Sequence, residues 1–326
     1  MSTILSGAAF GAALVASGMY QPSVILGQFD FSNFQMLQTF LTASASSTLI
    51  VTAMTAAGHA KQNPRTPSSL GIASYDGNIV GGALLGAGMA ISGSCPGTVL
   101  AQVGVGLTSG LYSLQGAFVG GVLWSGFLKR WIASRSTTTD TPGVLTIHEQ
   151  SGVSKATAFV GLETLFALGI LAIQTQAPLG PSVISPVVGG LLIGLSQLIS
   201  LVLRKSMLGV STSYEEVGNY FWWVITGGNT KNEPSSHSSI VFSTGVVMGA
   251  WALATTVPSL GAGTLPSGVQ PLGAFIGGLL ICLGARVAGG CTSGHGISGI
   301  ALLSTASFIT VMSMFSAAIL TFALVN

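Results

Sequence analysis

GGALLGAGMAISGSC (Gly81–Cys95) and GGLLICLGARVAGGC (Gly277–Cys291) lie 196 positions apart and share Gly81/Gly277, Gly82/Gly278, Leu84/Leu280, Gly88/Gly284, Gly93/Gly289 and Cys95/Cys291. Glycine-rich segments match one another easily, so the glycines alone carry little weight. The cysteines carry more, because the chain has only three. Each copy runs as a short apolar helix into a small-residue break at the cysteine, after which a second short apolar helix follows. Pro96 suits the first turn of that second helix, where its missing N–H leaves nothing unsatisfied.

Around these breaks the composition is that of a membrane protein. Only 6% of the 326 residues are charged, 49% are hydrophobic and 46 are glycine. A soluble domain carries roughly 25% charged residues, so this chain could not solvate a globular surface. Disorder needs low hydrophobicity with high charge, collagen needs glycine at every third position, and a nucleic-acid binder needs a basic face. None of these fits. Apolar runs of about 20 residues, enough to cross a bilayer, are expected near 3–20, 35–57, 111–133, 154–174, 183–203, 239–257, 268–288 and 305–325. Shorter apolar pieces lie at 79–93, 96–107, 207–227 and 292–303. The N-terminus lacks the basic region of a cleavable signal, so the first span is expected to be retained.

Polar connections fall near 58–77, 134–153 and 228–238. Lys61, Arg65, Lys129, Arg130, Arg135 and Lys155 lie in or beside the first two, which would make them cytoplasmic by the positive-inside rule, and the simplest reading is that these cations solvate loops. Small residues at four-residue spacing (Gly7/Gly11, Gly82/Gly86, Gly116/Gly120, Gly190/Gly194, Gly245/Gly249, Gly273/Gly277) let helix backbones approach in lipid and point to intramolecular packing. The fold expected is all-α and polytopic, one transport domain over 1–326, with halves at 1–153 and 154–326.

Glycine-interrupted hydrophobic segments at corresponding places in two halves point to a transporter's substrate site. Irregular backbone at membrane depth is tolerated only where protein or a water-filled cavity satisfies it. Cys95 and Cys291 are therefore expected to meet near the midplane. Helix N-termini at the two breaks attract anions, and Ser94, Thr98, Thr292 and Ser293 would add hydroxyls. Arg286, five residues before Cys291 in apolar sequence, costs about 2.5–3.5 kcal/mol at a helix centre on the insertion scale and reads as the anion's partner. Arginine, helix N-termini and thiols together suit a small anion with a soft sulfur end.

RVAGGCTSGHGISGIALLS (Arg286–Ser304) resembles the signature of the YeeE/YedE sulfur-transport family. RKSMLGVSTSYEEVGNYF (Arg204–Phe221), SGSCPGT (Ser92–Thr98) and SGMYQPSVILGQF (Ser17–Phe29) resemble it as well. The resemblance implies two pseudo-symmetric, inverted halves with about eight to ten spanning helices plus short re-entrant ones. It implies thiosulfate import past thiols at a constriction, with Cys95 and Cys291 matching two of them. A third thiol is expected near the end of the first span, where this chain has Ala16–Gln21; Met19 is the candidate there, and the substrate widens to thiosulfate or a related sulfur anion.

A cysteine of ordinary pKa near 8.5 is mostly protonated at neutral pH and donates a weak S–H hydrogen bond, which suits passage because conduction needs loose sites. The competing reading is a membrane-bound sulfur-handling enzyme in which a cysteine lowered in pKa becomes a persulfide, with His295 as the only base nearby in sequence. Cys282 reads as an inert buried cysteine. Three cysteines make no disulfide framework, and no metal or cofactor is expected. Glu163 in a span, and Glu215 and Glu216 near a mouth, are further candidates, although either of the latter two would pair readily with Arg204 or Lys205. Tyr220, Phe221, Trp222 and Trp223 read as an interfacial belt. Partners expected are a sulfur anion, the lipid bilayer of the plasma membrane and a cytosolic sulfur-carrier or sulfurtransferase protein, with no nucleic acid.

Overall fold

A computed structural model of the chain describes residues 1–59, 61–135, 145–228, 234–261 and 268–325. Parts of the expected connections 134–153 and 228–238 lie outside the described residues. The described chain is helical, with one isolated β-bridge between Thr146 and Ser304. Helices α1 (Ser2–Ala16), α2 (Pro22–Phe29) and α3 (Gln35–Ala56) precede the first repeat, which forms α4 (Asp76–Ser92) and α5 (Pro96–Val105). Next come α6 (Thr108–Leu123), a π-helical turn at Trp124–Leu128 and α7 (Lys129–Arg135), which form one continuous rod, and then short α8 (Ile147–Ser151) and α9 (Lys155–Gln176). The second part holds α10 (Pro186–Arg204), α11 (Thr212–Ile225), α12 (Ser238–Thr256), α13 (Pro258–Gly261), α14 (Pro271–Val287), a second π-helical segment at Ser293–Gly299 and α15 (Thr305–Val325).

Seven helical stretches among the described residues are long and apolar enough to cross a membrane. The expectation of eight to ten was higher because α1 and α14, at 15 and 17 residues, stop short at breaks. All eight expected spans nevertheless correspond to helices.

The helices meet through their small residues. Gly7 and Gly11 lie on the backbone of α12 at Phe242 and Val246, while Gly245 and Gly249 lie on α1 at Ile4 and Ala8. Gly116 and Gly120 seat α6 on α14, Gly82 and Gly86 seat α4 on α15, and Gly190 and Gly194 seat α10 on α3. Gly273 is looser, with nothing nearer than 3.6 Å to the position of a Cβ. Without a hydrophobic force between helices in lipid, such close backbone approach is the main source of van der Waals attraction.

The two repeated helices, α4 and α14, cross antiparallel, and their contacts are reciprocal. Gly81 packs on Gly284 and Ala288, and Gly277 packs on Gly88 and Ser92. Shifted by 196 residues, the first set of contacts becomes the second. The neighbours follow the same rule: α4 packs on α15 as α14 packs on α6, and α1 on α12 as α10 on α3. Antiparallel crossing with reciprocal contacts is what a two-fold axis in the membrane plane would produce; α9 has no counterpart in this pairing.

The loop 61–75 is tied down rather than solvated. Asp76 accepts hydrogen bonds from the backbone N–H groups of Leu70, Ile72, Ala73 and Gly77. Asn78 accepts from Ser68 N and donates to Ala288 O. Held this way, the loop crosses the second break. Contacts join it to Lys205 and Arg135 as well, and Lys129 reaches Glu215. All described Lys and Arg residues therefore gather towards one end of the bundle. At the other end, the connections 17–21, 30–34, 106–107, 177–185 and 257–261 carry no Lys, Arg, His or Glu and a single Asp, Asp30.

Candidate functional site

Both breaks are built by a residue in the left-handed region, Gly93 with φ +60° and Gly289 with φ +77°. These are equivalent positions of the repeat. A side chain there would be strained, and the turn lets each helix stop within the bundle. After the first break, Cys95 is the N-cap of α5: its sulfur accepts from Thr98 N at 3.5 Å, and Thr98 Oγ1 accepts from Cys95 N at 2.6 Å. This reciprocal pair is a capping box made with a thiol. Pro96 follows at the first helical position, its carbonyl accepting the Tyr214 hydroxyl at 2.8 Å.

After the second break, Cys291 is buried. Its sulfur lies 3.3 Å from Ser293 Oγ and borders Gly294, where a Cβ would stand 3.7 Å from it. Thr292 Oγ1 sits 3.6 Å from Met89 Sδ and 3.5 Å from Met314 Sδ, so a hydroxyl faces two thioethers. Cys291 belongs to the central apolar cluster, with Met19 in the same cluster and Cys95 packed against it. Both thiols border one apolar cluster, and Tyr214 reaches the first break through its bond to Pro96 O. The duplicated breaks thus bring Cys95, Cys291, Thr98, Ser293 and Tyr214 into one region.

Other expected residues have different surroundings. Ser94 faces α4 and α6, bonded to Ser92 Oγ at 2.8 Å and Ser113 Oγ at 3.5 Å, and does not line an opening. His295 is bonded on both ring nitrogens, Nδ1 to Ser307 Oγ at 3.0 Å and Nε2 to Ala288 O at 3.1 Å. With Nε2 donating to the carbonyl and Nδ1 accepting the hydroxyl, the ring is held as a structural link rather than poised as a base for Cys291. Arg286 is ion-paired with Glu215, which also accepts from Lys129 Nζ at 2.7 Å. Pairing of Glu215 with Arg204 or Lys205 is therefore replaced by pairing with Arg286 and Lys129. Glu216 accepts from Ser236 Oγ, Ser239 N and Ile240 N, closing the first turn of α12. Glu163 lies on α9, half-buried, next to Leu162, which packs on Ile300 and Leu303. Cys282 is fully buried beside Ala117 and Tyr214, as an inert cysteine would be. Tyr220, Phe221, Trp222 and Trp223 are half-buried and meet one another, Phe118 and Phe127 edge to face.

Sequence reasoning passed over Tyr214 and Arg65. Tyr214 sits next to Glu215, which drew attention as a charge in an apolar chain. Arg65 Nε donates to Gly294 O at 2.7 Å and Nη1 to Gly289 O at 2.9 Å, clasping both sides of the second break. The signal available was its place between Pro64 and Pro67, which stiffen the loop. Two polar openings lie towards opposite ends of the bundle. At the weakly charged end, a cavity of about 60 Å³ is lined by Ser17, Gly18, Gln21 and Gln35. At the cationic end, one of about 360 Å³ is lined by Arg65, Arg204, Gly209 and Ser298 among others. Among the described residues no group of His, Cys, Asp and Glu could hold a metal.

The chain matches the Sulphur transport family over residues 16–320. The thiosulfate transporter TsuA of Spirochaeta thermophila is 28% identical over 249 residues, covering 72% of each chain. Proteins described as probable transporters in two strains of Xylella fastidiosa are 33% and 34% identical over 124 residues, covering 38% of this chain and 81% of their own. With its membrane-length helices, the chain is an integral, multi-pass protein of the cell membrane, a transporter rather than an enzyme, and it belongs to the sulphur-transport family.

Proposed function

We propose that the chain moves thiosulfate along a route from the small cavity at the weakly charged end, past Met19 and Cys95, to Cys291 and the larger cavity at the cationic end. The observation that supports this reading is the placement of the two repeat cysteines at one central apolar cluster, Cys95 capping a helix with Thr98 and Cys291 beside the Ser293 hydroxyl at the start of a helical segment. A neutral thiol donates weakly to the terminal sulfur of the ion, and neighbouring N–H and O–H groups meet its oxygens. Weak, sequential sites hold the ion loosely enough to release it. The thioethers of Met19, Met89 and Met314 give the route soft, unreactive walls. The halves that carry the breaks are α1–α6 and α10–α15, within 1–153 and 154–326. A cytosolic sulfur-carrier or sulfurtransferase protein would meet the ion at the cationic end.

The test is uptake of labelled thiosulfate into proteoliposomes containing this protein alone. Cys95→Ala and Cys291→Ala should each lower uptake about fivefold, the equivalent of one hydrogen bond of about 1 kcal/mol. Unchanged uptake in Cys291→Ala would remove the thiol from the mechanism. Mass spectrometry after incubation with thiosulfate separates passage from sulfur transfer, because only the latter adds a sulfur atom to a cysteine.

A further inference from the structure

The cavity at the cationic end contains two arginines that no carboxylate among the described residues pairs with: both salt bridges among those residues belong to Glu215. Arg204 lies with its guanidinium carbon 4.4 Å from the ring centre of Phe242, and its buried Nη1 has no hydrogen-bond partner. Arg65 has Nε and Nη1 engaged by Gly294 O and Gly289 O. Its Nη2 lies towards Cys291: a Cβ placed on Gly294 would be 2.9 Å from that nitrogen and 3.7 Å from Cys291 Sγ. Gly209, also in the cavity wall, leads directly to Val210, which packs in the same apolar cluster as Cys291.

An unpaired buried donor costs about 1–3 kcal/mol, more when charged, and two uncompensated guanidinium groups in one cavity repel each other. An anion with several acceptor oxygens removes both costs, because guanidinium forks match oxyanions in geometry as well as charge. The N-terminus of α12 is not the attracting group, since Glu216 already accepts from Ser239 N and Ile240 N. No charged side chain lines the cavity at the opposite end, so the cationic site belongs to one side only.

We propose that this cavity is an anion-holding vestibule in which Arg204 and Arg65 bind a doubly charged tetrahedral sulfur oxyanion beside Cys291. The inference rests on the transport reading for its biological meaning, but binding can be measured without flux. Purified full-length protein is melted in rising sodium thiosulfate, sodium sulfate or sodium phosphate, with sodium chloride at matched ionic strength as reference. Thiosulfate is expected to stabilise the wild type saturably and chloride is not. Stronger saturable stabilisation by phosphate than by either sulfur anion would overturn the assignment of a sulfur oxyanion.

Arg204→Gln should raise the half-saturating thiosulfate concentration about tenfold or more, as loss of a charge-assisted hydrogen bond implies. Arg204→Lys keeps the charge without the planar fork; a smaller rise is expected, and this variant decides if the glutamine form does not fold. Because Arg65 also clasps the break, Arg65→Gln is read only alongside these. A half-saturation unchanged within about twofold in a folded Arg204 variant, well below the tenfold effect of such a bond, would overturn the vestibule. Absence of thiosulfate flux in the wild type would instead overturn the transport reading and leave the binding result standing.

Discussion

Arg286 shows how a residue's meaning depends on its neighbours. In sequence it is a rare cation beside a break, and an anionic substrate is the natural partner to assign. In the fold it faces Glu215, with 16% of the Arg286 side chain and 9% of the Glu215 side chain exposed. Removing one member of a buried pair leaves an uncompensated charge and costs about 3–5 kcal/mol; here Lys129 still neutralises part of Glu215, so the lower end applies. Arg286→Gln and Glu215→Gln should each lower the thermal midpoint, and the double variant should lie nearer the wild type than the sum of the two. A variant Arg286→Gln that melts normally but fails to take up thiosulfate would return Arg286 to the substrate path. Arg65 makes the opposite case. Its local sequence says solvated loop, yet its hydrogen bonds reach residues more than 220 positions away, and no local pattern encodes such a contact.

Among the elements, the helices were legible and the joints between them were not. Apolar length and periodic small residues are local properties, so the spans at 35–57, 154–174 and 305–325 reappear within two residues as α3, α9 and α15. The break at Gly93–Cys95 was legible too, because proline at the first helical position and glycine in the left-handed turn are local chemistry. The π-helical segment after Cys291 was not, since its backbone is set by Arg65, Ser307 and Ala288 from other parts of the fold. Glu216 likewise belongs to a joint: as an acid near a mouth it suggested the path, whereas from α11 it caps α12. Glu216→Ala should cost about 0.5–2 kcal/mol, the usual worth of an N-cap, seen as a lower thermal midpoint with maximal uptake per folded molecule retained. A normal midpoint with altered uptake would show that Glu216 acts on the ion instead.

At the scale of the whole molecule, orientation follows from where charge collects. Ten basic residues in 326 gave only a faint topological signal along the chain, because six of them fall in two connections and the rest are scattered. Folding brings the described ones to one end: Lys61 and Arg65 over the second break, Lys129 to Arg135 at the end of the α6–α7 rod, Lys155 at the start of α9, and Arg204 and Lys205 at the end of α10. The opposite connections contain Asp30 and no Lys or Arg. Cytoplasmic loops retain Lys and Arg while short translocated loops exclude them, so the cationic end is expected to face the cytoplasm and the 60 Å³ cavity to open outward. Epitopes inserted after Ser182 and after Gly152, both in exposed connections, test this in intact cells. Antibody should reach the Ser182 insertion without permeabilisation and the Gly152 insertion only after it. The reverse pattern would turn the molecule over and make the arginine-lined vestibule the entry rather than the exit. With the expected orientation, thiosulfate on the proposed route would meet hydroxyl and amide groups first, thiols in the middle and guanidinium groups last, so charge compensation would be strongest where the ion has already crossed.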